Sequence, residues 1–131
     1  MSQENVEIVR AAFEAFNRGD LDAALQAVAQ DAELDWSRAL GPYRGILRLD
    51  QFRHFLGDFR STFESVRFEA HEFLDADEDI DVPFTGHIRG RDGIETTARG
   101  VLVCAVRDGP VVRVCLYQQK HDALEAAGLR E

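Results

Sequence analysis

The chain has 131 residues, 45% of them hydrophobic and 30% charged, with a formal net charge of −9. That is enough chain for one globular domain, residues 1–131, and the composition excludes a low-complexity or repeat protein. The negative balance repels phosphate backbones and anionic membrane surfaces at long range, so neither a nucleic acid nor a membrane is expected as a partner.

The longest apolar run is far short of a membrane span, and the first residues carry no basic-then-apolar leader, so a cytoplasmic protein is expected. In chain order, Ser2 can cap a helix over 3–17, with Val6, Val9, Phe13 and Phe16 at three- and four-residue steps on one face. Gly19 fits a left-handed helix end, and Asp20 caps a second helix over 21–29 whose inner face is Leu21, Ala24, Leu25 and Val28. The stretch 32–37 alternates and predicts a short strand, Leu34 and Trp36 on one face, Glu33 and Asp35 on the other. After a loop through 41–45, a third helix over 49–64 starts at Asp50. It carries Phe52, Phe55, Leu56, Phe59 and Phe63 as an aromatic stripe, the usual mark of a core-facing helix.

Strands are predicted over 66–75 and 80–90, with Pro83 marking an edge or a bulge in the second. The acidic connection 75–81 resembles a calcium loop only in its alternating aspartates. Ile80 and Gly86 stand where glycine and glutamate are required, so it reads as a solvated turn. The residues 98–107 and 111–119 form the dominant apolar hairpin, turning at Asp108-Gly109. A two-residue loop there pairs Arg107 with Pro110 and sets Cys104 opposite Arg113. The two cysteines, Cys104 and Cys115, are then offset and stay free thiols. A short capped helix over 122–127 closes the chain.

Helices segregated from consecutive strands predict an α+β fold: a curved antiparallel sheet with three helices forming a cone-shaped barrel around a pocket. The chain is similar, over nearly all its length, to the SnoaL-like family of the nuclear-transport-factor-2-like superfamily. The carriers are VRAAFEAFNRGDLDAAL at 9–25, QDAELDW at 30–36, GPYRG at 41–45, VRDGPVVRVCLY at 106–117 and ALEAAGL at 123–129. The resemblance implies a cavity between sheet and helices and a homodimer through the outer sheet face. The superfamily holds ketosteroid isomerases, polyketide cyclases, epoxide hydrolases and non-catalytic members, so the fold alone does not decide whether this chain is an enzyme.

Aligned with the isomerases, Ala12 stands at the tyrosine donor, Trp36 at the carboxylate base and Leu102 near the acid donor, all without proton-transfer groups. His71 and His87 lie on the middle strands, and parity there is open; His54 reads as exposed. No spacing of histidines or cysteines suits a metal, no glycine-rich phosphate loop occurs, and no cofactor is expected. Parity and analogy nominate Trp36, Phe55, Phe59, Phe84, Leu102, Cys104, Leu116 and Gln118 as pocket residues binding a small, largely apolar molecule. If the protein catalyses a cyclase- or isomerase-type reaction, Asp35, His87 and Tyr43 are the polar groups able to move protons. The alternative is a non-catalytic dimerisation or ligand-sensing module on the same fold.

Overall fold

The computed structural model describes residues 2–38, 45–76 and 79–118. Helices α1 (Ser2–Asn17) and α2 (Leu21–Leu25) lead into strand β1 (Val28–Arg38), the short β2 (Ile46–Leu47) and helix α3 (Leu49–Thr62). Five strands follow: β3 (Ser65–Ala70), β4 (Leu74–Ala76), β5 (Asp79–Arg89), β6 (Glu95–Val106) and β7 (Val111–Tyr117). No helix among the described residues is long and apolar enough to cross a membrane.

The chain turns between α1 and α2 as the sequence predicts. Gly19 takes φ +88°, its N–H donates to Phe16 O at 3.0 Å, and Asp20 N–H reaches back to Ala15 O at 2.9 Å. Asp20 then caps α2, its carboxylate accepting from Ala23 N–H at 3.0 Å. Helix α2 is shorter than the expected 21–29, because Val28 is taken into β1 opposite Val111 and Ala27 O accepts the Val111 N–H at 2.8 Å. Sheet pairing there outweighs helix propensity. Helix α3 begins without Asp50 as its cap: the Gln51 side chain accepts the Arg48 N–H at 2.8 Å instead.

The sheet runs β2-β1-β7-β6-β5-β3, with β4 also on β5. It is curved but unclosed, and it is mixed rather than antiparallel throughout: β1 lies parallel to β7, with Leu34 opposite Val114 and Asp35 opposite Cys115. Such a pair needs a long connection, here everything from β2 to β6. Strand β2, not expected from the sequence, is two residues long and pairs antiparallel with β1.

The expected strand 66–75 is broken. Residues 71–73 oppose only 82–83, so one extra residue bulges between β3 and β4. Pro83 sits opposite that break in an interior strand. Its carbonyl accepts the His71 N–H at 2.8 Å, and the N–H it lacks would have pointed to the same gap. The edge reading of Pro83 is therefore corrected, and the bulge lies on its partner strand.

At the Asp108-Gly109 turn both residues take positive φ, 57° and 111°, and Arg107 N–H donates to Pro110 O at 3.0 Å. A bulge next to the turn moves the register on by one. Cys104 faces Val114, not Arg113, and Cys115 faces Val103. Successive strand residues alternate faces, so the two thiols point to opposite sides of the sheet and both are free. The expected closing helix 122–127 lies outside the described residues.

The main core sits between the helices and the inner sheet face, built on Val9, Leu25, Leu34, Phe52, Ile80, Val82 and Val114. A second cluster, Ala15, Phe16, Ala24 and Val66, fills the end where α1 meets β3. Asn17 fastens that end. Its side-chain amide donates to Phe68 O and accepts from Phe68 N–H, both at 2.8 Å, so it satisfies the open edge of β3 as a neighbouring strand would.

Candidate functional site

A cavity of about 540 Å³ lies between α1, α2 and α3 on one side and the inner face of the sheet on the other. Its roof is the apolar stripe of α3, Phe52, Phe55 and Phe59, with Phe63 just past the helix end and Phe13 and Phe16 of α1. Its floor is the inward row of each long strand: Trp36 of β1, Phe84 and Ile88 of β5, Leu102 and Cys104 of β6, Val114 and Leu116 of β7. Inward pointing follows from strand alternation, since Leu34, Val82 and Cys104 belong to the same buried cluster.

The aromatic rings form a continuous run. Trp36 packs edge-on to Phe52 at 4.8 Å between centroids and lies 6.2 Å from Phe55. Phe59 follows Phe55 at 6.0 Å and faces Phe68 nearly parallel, with planes 9° apart and centroids 6.5 Å apart. Phe68 then meets the edge of Phe84 at 5.5 Å.

Gly86 makes room for this wall. A Cβ there would stand 2.9 Å from the Phe68 ring, closer than packed carbons come. Gly86→Ala is expected to push that ring into the cavity, costing about 1 kcal/mol of stability. It should also weaken binding of an apolar fluorescent probe several-fold, read by denaturation and by titration of the same sample.

Every pocket residue nominated from the sequence lines this cavity: Trp36, Phe55, Phe59, Phe84, Leu102, Cys104, Leu116 and Gln118. So do Ala12, Trp36 and Leu102, the positions where the resemblance would put a donor, a base and an acid. Among the described lining residues, only Trp36, Thr62, Cys104 and Gln118 carry a polar side-chain atom. Burial, with the charges of Asp81 and Asp79 nearby, pushes the Cys104 thiol up to about 12, so it stays protonated and is a poor nucleophile.

Two of the three candidate proton-moving groups, Asp35 and His87, are not among the residues that line this cavity. Asp35 belongs to the opposite face of the sheet. Its carboxylate accepts from Ser37 Oγ at 2.6 Å and Ser37 N–H at 2.9 Å, and from Cys115 Sγ at 3.4 Å, and it pairs with Arg113 at 3.4 Å. Burial alone would raise its pKa, but these hydrogen bonds and the Arg113 charge hold it below the usual carboxylate range. A register irregularity does occur in β1, between Asp35 and Arg38, without turning Asp35 inward.

His87 is also outward. It pairs with Glu69 at 2.9 Å, and its neighbours Gly86 and Ile88 occupy the inner face. The His87 bond draws the Glu69 pKa down. His71, whose parity the sequence left open, meets Thr85 Oγ1 at 2.7 Å on that same outer side, and His54 is exposed beside Asp58. Tyr43 lies outside the described residues.

Sequence reasoning missed Phe68 and Thr62 as wall residues. Phe68 stands on a strand that reads as alternating with Val66 and Ala70, which was the available signal. No group of three or more histidine, cysteine, aspartate or glutamate side chains converges as a metal site among the described residues.

Three helices over one face of a curved mixed sheet, with an apolar hollow between, place the molecule among α+β cavity folds. Residues 9–114 match the SnoaL-like domain family, and the chain belongs to it. Among solved structures it is similar to TerC, co-crystallised with polyporic acid, at 22% identity and a TM-score of 0.78 over 93% of this chain and 98% of that one. An NTF2-like protein of unknown function from Burkholderia pseudomallei matches at 25% identity and TM-score 0.78, covering 93% and 95%. A candidate polyketide cyclase from Xanthomonas campestris matches at 26% identity and TM-score 0.72, covering 92% and 93%. No curated protein matches the chain.

Proposed function

We propose that the chain binds one small, largely apolar molecule in the cavity between helices and sheet. The observation that carries this reading is the cavity itself. At about 540 Å³ it falls in the range of small-molecule sites, and its described walls are aromatic and aliphatic with four polar exceptions. The similarity to a candidate polyketide cyclase supports a small-molecule ligand. No carboxylate, imidazole or cation stands among the described lining residues. What the described lining residues contribute to any reaction there is confinement and orientation. A homodimer through the outer sheet face is part of the same proposal, and sizing in solution checks it.

Trp36 is the only tryptophan, and it stands in the cavity wall, so it reports occupancy directly. Titration with phenylnaphthylamine, an uncharged apolar dye, is expected to quench or shift Trp36 emission saturably while the dye brightens. Ala12→Phe, which projects a ring from α1 into the hollow, should weaken that binding about tenfold or more. Absence of any response from either fluorophore, with this and other uncharged ring compounds, would sink the proposal.

A further inference from the structure

Resting on that ligand-binding reading, we infer that the cavity sorts ligands by charge, accepting an apolar molecule in its uncharged form and rejecting the same skeleton when it carries a carboxylate or an ammonium group. A charge taken out of water must be met by an opposite charge or by several hydrogen bonds, or it stays outside. The described wall offers neither. Its polar atoms are the Trp36 indole, the Thr62 hydroxyl, the Cys104 thiol and the Gln118 amide, enough for one or two hydrogen bonds to a neutral group.

Several charged side chains on the surrounding elements have partners away from the cavity. On α1, Arg10 lies 4.6 Å over the Phe73 ring and pairs with Glu7 at 3.4 Å. On α3, Arg60 donates to Phe16 O at 2.8 Å and covers the Phe16 ring, while Arg53 pairs with Asp22 of α2. Across the sheet, Asp35 and Glu33 hold Arg113, Glu69 holds His87, and Glu64 and Glu95 hold Arg89, all on the outer face. Asp81 is buried on that outer face too, between Leu74 and Val103 in the ladder. The Cys104 thiol, the one titratable group in the described wall, stays neutral across the physiological range. The net charge of −9 adds a long-range bias against anions, so an acid is disfavoured both outside and inside the cavity.

The test uses three probes with one skeleton: naphthylacetic acid, its methyl ester, and naphthylethylamine, each titrated against the full chain by Trp36 fluorescence. The ester is expected to bind. At about pH 7.5 the acid and the amine should bind at least about thirtyfold more weakly. Because only the protonated acid is competent, its apparent affinity should rise about tenfold per unit as pH falls towards 6, with the ester unchanged.

Failure of the ester to bind, together with failure of the dye, counts against the ligand-binding reading itself. An ester that binds while the acid or the amine matches it leaves that reading intact and overturns the charge discrimination. So does an acid whose weaker binding does not change with pH.

Discussion

Leu34→Ala is expected to destabilise the fold by about 3–4 kcal/mol. Leu34 is fully buried, and it stands where three strands meet: it pairs with Leu47 of β2 on one side and Val114 of β7 on the other. Its side chain belongs to the core that joins Val9 of α1, Phe52 of α3 and Val82 of β5. Truncation removes buried carbons from contacts with both layers at once, and the sheet cannot collapse onto the space because the parallel β1–β7 pairing fixes the backbone on that side. Urea denaturation monitored by circular dichroism measures the loss. Ile94→Ala is the matched control: Ile94 is 64% exposed, so its truncation should stay within about 0.5 kcal/mol. Equal losses at the two sites would mean that the core does not run through β1. Because Trp36 lies two residues on, on the same inner face, Leu34→Ala should also loosen the cavity floor and weaken dye binding before the protein unfolds.

The parts of the fold that could be read from the sequence were those set by local periodicity. Helix α1 follows from its apolar steps and its glycine stop, α3 from its phenylalanine stripe, and the β6–β7 hairpin from valines around Asp-Gly. The parallel β1–β7 pair was hidden because its partners are some eighty positions apart and neither strand's pattern encodes strand direction. β2 is two residues long and too short to show a period. The break between β3 and β4 depends on Pro83 of another strand, so nothing within 66–75 signals it.

The same logic governs the site. Alternation along β1, β5, β6 and β7 sets which strand residues line the cavity, because a period of two decides a face once one member is fixed. Asp35 and His87 were named for their residue type, which does not decide a face. Asp35 and His87 have suitable chemistry, but each is the outward neighbour of a wall residue, and each has partners that use its hydrogen-bonding capacity on the far side. Ala12, Trp36 and Leu102, the positions given by the resemblance, all line the cavity, and none carries a proton-transfer group.

Asp81→Asn is expected to stabilise the protein by about 2 kcal/mol near pH 8 and by almost nothing near pH 4. Asp81 is 3% exposed, and its Oδ1 has no hydrogen-bond partner among the described residues. Burial, helped by the Asp79 charge on the same strand and face, pushes its carboxyl up to about 6. Below the unfolded value near 3.8, both folded and unfolded chains hold the proton and there is no penalty. As pH rises the unfolded chain ionises first. The stability associated with the neutral folded carboxyl drains away until the folded group ionises as well, near 6, and the full cost then persists at higher pH. Asparagine keeps the shape and cannot ionise, so the variant escapes that cost. Asp35 works in the opposite sense: its pKa is depressed by Ser37, Cys115 and Arg113, so its contribution is present above the unfolded value and is lost only as pH falls through the folded one. Asp35→Asn should therefore destabilise near pH 8, where Asp81→Asn stabilises. Urea midpoints of the wild type and both variants at the two pH values separate the effects. A gain for Asp81→Asn of the same size at both would show that the side chain is hydrated rather than buried, and that the centre of the outer sheet face is open to water.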